Sequence, residues 1–137
     1  MEGISYEAAS LAGTLGLDNL IVLYDSNKIT ADGSIDKSFD EDITGRFTSM
    51  NWDVIRVKNG ESVGEISSAI EKAKKSKKPT LIEIETVIGK YSKYEGTNRI
   101  HSNLDKEDLE NIRLTLKGSA PFTYSEADRN NLLKFIK

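Results

Sequence analysis

The sequence predicts an α/β fold: a three-layer, doubly wound, mainly parallel sheet. Three observations predict it. Some stretches carry apolar residues at helical spacing, and others carry them as short continuous runs. The two kinds of stretch alternate along the chain, helix then strand, three times over. Polar segments with turn residues separate them.

The elements follow in order. Ile4, Ala8, Leu11, Ala12 and Leu15 predict a helix over 4–15, stopped by Gly16. Leu20–Tyr24 is an uninterrupted apolar run, which suits a strand covered on both faces. A polar loop runs from Asp25 to Lys37, with Asp32-Gly33 as its turn signal. Ser38 and Glu41 have capping-box spacing ahead of a helix that carries Ile43, Phe47 and Met50. Val54–Val57 is the second strand. Ser62 and Glu65 repeat the capping-box spacing, ahead of a stripe of Val63, Ile66, Ile70 and Ala73, and Pro79 bars the helix from continuing. Leu81–Val87 alternates with polar residues, which places it nearer an edge. Gly89–Asn103 reads as a long loop, a length that usually serves function. Leu109, Ile112 and Leu116 suggest a further helix, and Ser125 caps a last one through Leu132, Leu133 and Ile136. The expected core is Ile43, Phe47, Val54, Ile66, Ile70, Leu81 and Ile84.

Composition narrows the function classes. With 137 residues and 37% apolar content, the chain suits one small soluble domain. It has no cysteine, so disulfides and thiolate metal sites are excluded, which fits a cytoplasmic location. No run is long enough to span a membrane, and no secretory signal opens the chain. A net charge of −3 gives no pull toward nucleic acid. Lys72, Lys74, Lys75, Lys77 and Lys78 lack interleaved aromatics and read as a solvated helix end, where cations suit the dipole.

Ligands of doubly wound sheets bind beyond the carboxyl ends of the strands. Two loops qualify: one holds Asn27 and the other His101, so both side chains are expected on one rim. The Asn27 amide oxygen and a backbone carbonyl two residues on could serve a hard cation such as Mg²⁺ or Ca²⁺, whose shell a diphosphate could complete. The same residues also make an ordinary polar loop with an Asx turn. His101 is the only histidine, with no second His and no Cys beside it, so a zinc site is rejected. No Gly-x-Ser-x-Gly elbow is present.

Four stretches carry a family resemblance. They are Glu2-Gly3-Ile4-Ser5-Tyr6-Glu7-Ala8-Ala9-Ser10-Leu11-Ala12-Gly13; Asp25-Ser26-Asn27-Lys28-Ile29-Thr30-Ala31-Asp32-Gly33; Lys78-Pro79-Thr80-Leu81-Ile82-Glu83 with Thr86-Val87-Ile88-Gly89; and Gly96-Thr97-Asn98-Arg99-Ile100-His101. In this order and register they resemble the transketolase family, with a weaker tail to Gly118. The first resembles the stretch after that family's Gly-Asp-Gly, and the second resembles the latter half of its thiamine diphosphate motif. Two departures stand out. Gly89-Lys90-Tyr91-Ser92 replaces the family's Gly-Tyr-Gly-Ser, and Ser102 replaces a glycine after the histidine.

The resemblance implies that Asn27 binds the metal by its side chain and lies near the diphosphate, and that Ile29 binds the metal by its carbonyl. It implies that His101 lies near the diphosphate and the reacting sugar, as a hydrogen-bond donor to a hydroxyl or a developing oxyanion. Glu2 matches a family acid at the dimer interface, and Glu7 a second acid. A simpler reading makes both helix N-terminal acids. The implied cofactors are thiamine diphosphate and Mg²⁺ (or Ca²⁺). The implied partners are sugar phosphates and the remainder of a transketolase chain or a second subunit, as a homodimer in the parent enzyme. The parent would move a two-carbon ketol unit from a ketose phosphate to an aldose phosphate, in the pentose phosphate pathway. Residues 1–118 are expected to be part of the diphosphate-binding domain, and 119–137 a helical tail. The family's Gly-Asp-Gly would precede Met1, so the expectation is a start at an internal methionine of a longer frame, or at a gene break or assembly gap, and a fragment inactive by itself. Two rivals share these observations: a non-catalytic α/β module that binds phosphate or a partner, and a fragment of another thiamine diphosphate enzyme such as a dihydroxyacetone synthase.

Overall fold

The structure, a computed structural model, describes residues 3–117 and 123–136. The expected boundary at 118/119 and Glu2 both lie outside the described residues. Helix α1 spans Gly3–Leu15, α2 Ile43–Ser49, α3 Val63–Ala73, α4 Lys106–Thr115 and α5 Glu126–Phe135. Strand β1 spans Ile21–Ser26, β2 Ile29–Thr30, β3 Gly33–Ser34, β4 Asp53–Val57 and β5 Thr80–Glu85.

β1, β5 and β4 form a parallel sheet in that order, with Val22 beside Leu81 and Val54 beside Leu81 in register. The chain therefore passes from β1 to β4 on the far side and returns to β5 in the middle. Crossovers keep one hand, so reversing direction puts the two connecting helices on opposite faces. On one face Ala9 and Ala12 of α1 and Ile43 and Phe47 of α2 pack with Trp52 and Leu81. On the other, Ala69 and Ala73 of α3 pack with Val57, Ile82 and Ile84. Leu81 and Ile82 are fully buried and contribute about 2 kcal/mol each. The α/β fold expected from sequence is thus the fold observed.

Four local expectations are corrected. β5 is central rather than near an edge, and ends at Glu85. Its polar member Glu83 is buried and hydrogen-bonded by Ser26 Oγ at 3.2 Å and Arg56 Nε at 2.9 Å, so alternation here did not mean solvent exposure. β1 is not covered on both faces: α3 packs on β4 and β5 and reaches β1 at Ile21, so Leu23 stays 54% exposed. The cap of α2 is Asp42, which accepts the Gly45 N–H at 3.0 Å, not Ser38, which follows a 3-10 turn at Ile35–Lys37. Ser62 does cap α3, accepting the Glu65 N–H at 3.3 Å, but Val63 is exposed and Ala69 takes its place in the apolar stripe.

Of the expected core, Ile43, Phe47, Leu81 and Ile84 are buried, while Val54, Ile66 and Ile70 are partly buried against it. Ser125 caps α5 in a full capping box with Asp128. In α4 the buried residue is not a leucine but Asp108; Leu109 and Leu116 are more than half exposed.

Candidate functional site

Because the three strands are parallel, their carboxyl ends share one rim. β1 delivers Asn27 there, and β5 leads into the segment that carries His101.

The Asn27 loop is a short, tight device. Lys28 takes φ 63°, which turns the chain sharply and lets the Ile29 N–H reach back to Asn27 Oδ1 at 3.0 Å. This is the Asx turn that the sequence allowed. β2 and β3 then form a two-residue hairpin with Ile29 opposite Ser34 and Thr30 opposite Gly33. The Ile35 N–H donates to the Lys28 carbonyl at 3.0 Å. Antiparallel pairs alternate between bonded and non-bonded, so the Ile29–Ser34 pair, two-residue turn on one side and the Lys28–Ile35 bond on the other, is the non-bonded one. The Ile29 carbonyl consequently points away from the hairpin ladder.

Asn27 is oriented from its other side as well. Its Nδ2 donates to Asp25 Oδ2 at 3.4 Å, and Asp25 Oδ1 accepts from the Thr86 hydroxyl just past β5. With the nitrogen engaged by Asp25, the amide oxygen is turned toward Ile29 and the rim. An amide oxygen and an outward carbonyl are both hard, neutral donors. That chemistry fits a small divalent cation whose charge is balanced by an anionic ligand. No cluster of three acidic, His or Cys ligands occurs among the described residues.

His101 ends a 3-10 turn at Asn98–His101. It is exposed, and its imidazole bonds to no described residue. The segment around it is firmly tied. Gly89 has φ 65°, and a Cβ there would sit 2.3 Å from Ile100 Cγ1, so glycine lets Ile100 pack against the turn leaving β5. The Gly96 N–H donates to the Ile88 carbonyl at 2.9 Å. Asn98 Nδ2 donates to the Ala31 carbonyl at 3.2 Å, which stitches the His101 loop to the Asn27 loop. Tyr91 adopts φ 70° where the resembled family carries glycine. The left-handed conformation costs about 1 kcal/mol, offset by its N–H to Glu95 Oε2 at 2.8 Å.

The rim is acidic. Burial first, then Glu83, Asp25 and Glu41, push the Tyr24 phenol above its ordinary range. The Arg56 guanidinium is held above its usual value by the Glu83 hydrogen bond. Lys93 first, then the Asp108 N–H, hold the Asp105 carboxyl below the usual range.

The structure thus gathers the Asn27, Ile29 and His101 segments on one rim. Glu7 is exposed on α1, beyond its first turn. Sequence reasoning missed Asp25, Thr86, Asn98 and Asp108. Asp25, Thr86 and Asn98 lay inside the stretches that carry the family resemblance, and Asp108 had the Asp-x-x-Asp cap spacing from Asp105.

Residues 1–128 match the family described as transketolase, thiamine diphosphate binding domain. The chain is 51% identical to the transketolase of Bacillus subtilis over 129 residues, 92% of this chain and 19% of that protein. It is 48% identical to transketolase 1 of Saccharomyces cerevisiae over 115 residues, 82% of this chain and 17% of that one. The Pichia stipitis transketolase, solved in complex with sedoheptulose 7-phosphate, superposes with TM-score 0.87 at 38% identity, covering 91% of this chain and 19% of that chain. The Leishmania mexicana transketolase gives 0.86 at 38%, covering 92% and 20%. The chain spans about a fifth of the length of these relatives.

Proposed function

Since this chain belongs to the transketolase family, as a stretch of its thiamine diphosphate-binding domain, we propose that it builds the cation and diphosphate side of a ketol-transfer site. The observation that carries this reading is the paired orientation of the Asn27 amide oxygen and the Ile29 carbonyl on the rim beside the His101 loop. Asn27, by its amide oxygen, and Ile29, by its carbonyl, would hold Mg²⁺ (or Ca²⁺), which would supply positive charge for the diphosphate of thiamine diphosphate. When bound, the cofactor supplies the carbanion chemistry that lets a carbon–carbon bond of a ketose phosphate break and re-form on an aldose phosphate.

The chain's own residues orient and polarise. The Asx turn presets the Asn27 oxygen, so little ordering remains to be done on binding. His101, exposed at its turn, would donate a hydrogen bond to a sugar hydroxyl or to an oxygen that gains charge during transfer. Neutral cation ligands leave charge compensation to the diphosphate and to groups outside this chain. For that reason the chain by itself is expected neither to hold the cofactor tightly nor to catalyse transfer. The remaining parts of the reading are a homodimeric parent in the cytoplasm, with Glu2 at the subunit interface. No described helix is long and apolar enough to cross a membrane.

A chimaera tests the proposal. Residues 1–128 would replace the matching stretch of the Bacillus subtilis transketolase, to which the chain is 51% identical over 129 residues. The expected result is cofactor- and cation-dependent ketol transfer between sugar phosphates. A folded chimaera without transfer would count against this segment's site.

A further inference from the structure

We propose that Asp108 is a positioning residue for His101, acting by closing the base of the loop that displays it; this rests on the reading of His101 given above. Asp108 is 1% exposed, although a carboxylate is among the groups least readily buried. It lies in the first turn of α4, where the helix dipole favours negative charge. Its Oδ2 accepts from the Ser92 hydroxyl at 2.6 Å and its Oδ1 from the Lys93 N–H at 2.9 Å. Ser92, itself buried, accepts the Tyr94 N–H at 3.0 Å through the same oxygen.

At the start of the same turn, Asp105 caps α4 by accepting the Asp108 N–H at 2.8 Å, and it pairs with the Lys93 ammonium at 2.7 Å. Two acids of one helical turn therefore hold residues 92–93 against residues 105–108. Everything between, residues 94–104, forms a loop closed at its base, and His101 sits within it. A closed base restricts the swing of whatever the loop carries. Helix α4 leaves its leucines exposed and Ile112 half-buried, and the one residue it buries fully is this carboxylate, which fastens the loop.

Two variants read the claim, Asp108→Ala and Ser92→Ala, the second keeping the helix intact if the first fails to fold. In the 137-residue chain, amide exchange is expected to quicken about tenfold across 94–104, the size of one lost charge-assisted hydrogen bond. Amides of β1, β4 and β5 should keep their protection. In the chimaera, kcat should fall about tenfold, with KM for both sugar phosphates and cation-dependent cofactor affinity unchanged. Unaltered exchange in 94–104 would overturn the clamp. Faster exchange with unchanged kcat, in a chimaera whose kcat does depend on His101, would overturn the positioning role. A kcat indifferent to His101 itself would overturn the functional reading, and the positioning role with it, whatever the exchange result.

Discussion

Replacing His101 with alanine in the chimaera is expected to lower kcat about 100-fold, the usual size of losing one donor to developing charge. His101 is exposed on a loop fixed at three places: Ile100 against Gly89, Asn98 on the Ala31 carbonyl, and the acids of α4 at its base. Its imidazole is engaged by no described residue, so its hydrogen-bonding capacity is open to a ligand. A donor used in the transition state changes kcat and kcat/KM together, whereas one used only in substrate binding raises KM alone. Steady-state kinetics with a ketose phosphate donor and an aldose phosphate acceptor separates the two. Unchanged kcat would remove His101 from the chemistry.

Gly13→Ala is expected to destabilise the chain by about 3 kcal/mol. The change would ordinarily help a helix by about 1 kcal/mol. Here a Cβ would sit 1.8 Å from the Met50 carbonyl oxygen and 3.3 Å from the Trp52 ring. Neither neighbour can yield easily. Trp52 is buried, donates its indole N–H to the Ala9 carbonyl at 2.8 Å, and meets Phe47 edge-on at 5.2 Å. Met50 is the C-cap of α2, with its N–H bonded back into that helix. α1 would have to lift from α2 and expose Ala9, Ala12 and Trp52 together. Since small domains keep only about 5–15 kcal/mol in reserve, the midpoint of urea unfolding should shift visibly. A midpoint at or above that of the parent chain would show that the α1–α2 contact is looser than described.

How far the sequence was legible depended on what each residue's pattern could encode. The fold class was readable because apolar period and chain alternation are local properties, and α1, α3, β4 and the Ser62 and Ser125 caps follow from them. Strand order was not readable, since it depends on which face each crossover takes. That gap produced the misplacement of β5: Glu83 looked like a solvent-facing residue, but Arg56 and Ser26 from the two neighbouring strands satisfy it inside the sheet. Leu23 misled in the opposite sense, because an apolar run states what could be covered, not what is. In the candidate site, Asn27 and His101 were legible as residues following strands. The Asp25–Thr86 and Asn98–Ala31 contacts were not, for they join positions 61 and 67 residues apart that only the fold brings together.

The central claim is that the Asn27–Ile29 turn holds the cation that anchors thiamine diphosphate. Calorimetric titration of the chimaera with thiamine diphosphate, with and without Mg²⁺, tests it most directly when Asn27→Ala is compared with the parent. Removing a cation ligand should cost at least what losing a supporting contact does, so cation-dependent affinity should fall about 100-fold. Any affinity that remains without Mg²⁺ should be the same in both proteins. Equal Mg²⁺-dependent affinity in the two proteins would contradict the account and leave the Asx turn at Asn27 an ordinary structural turn.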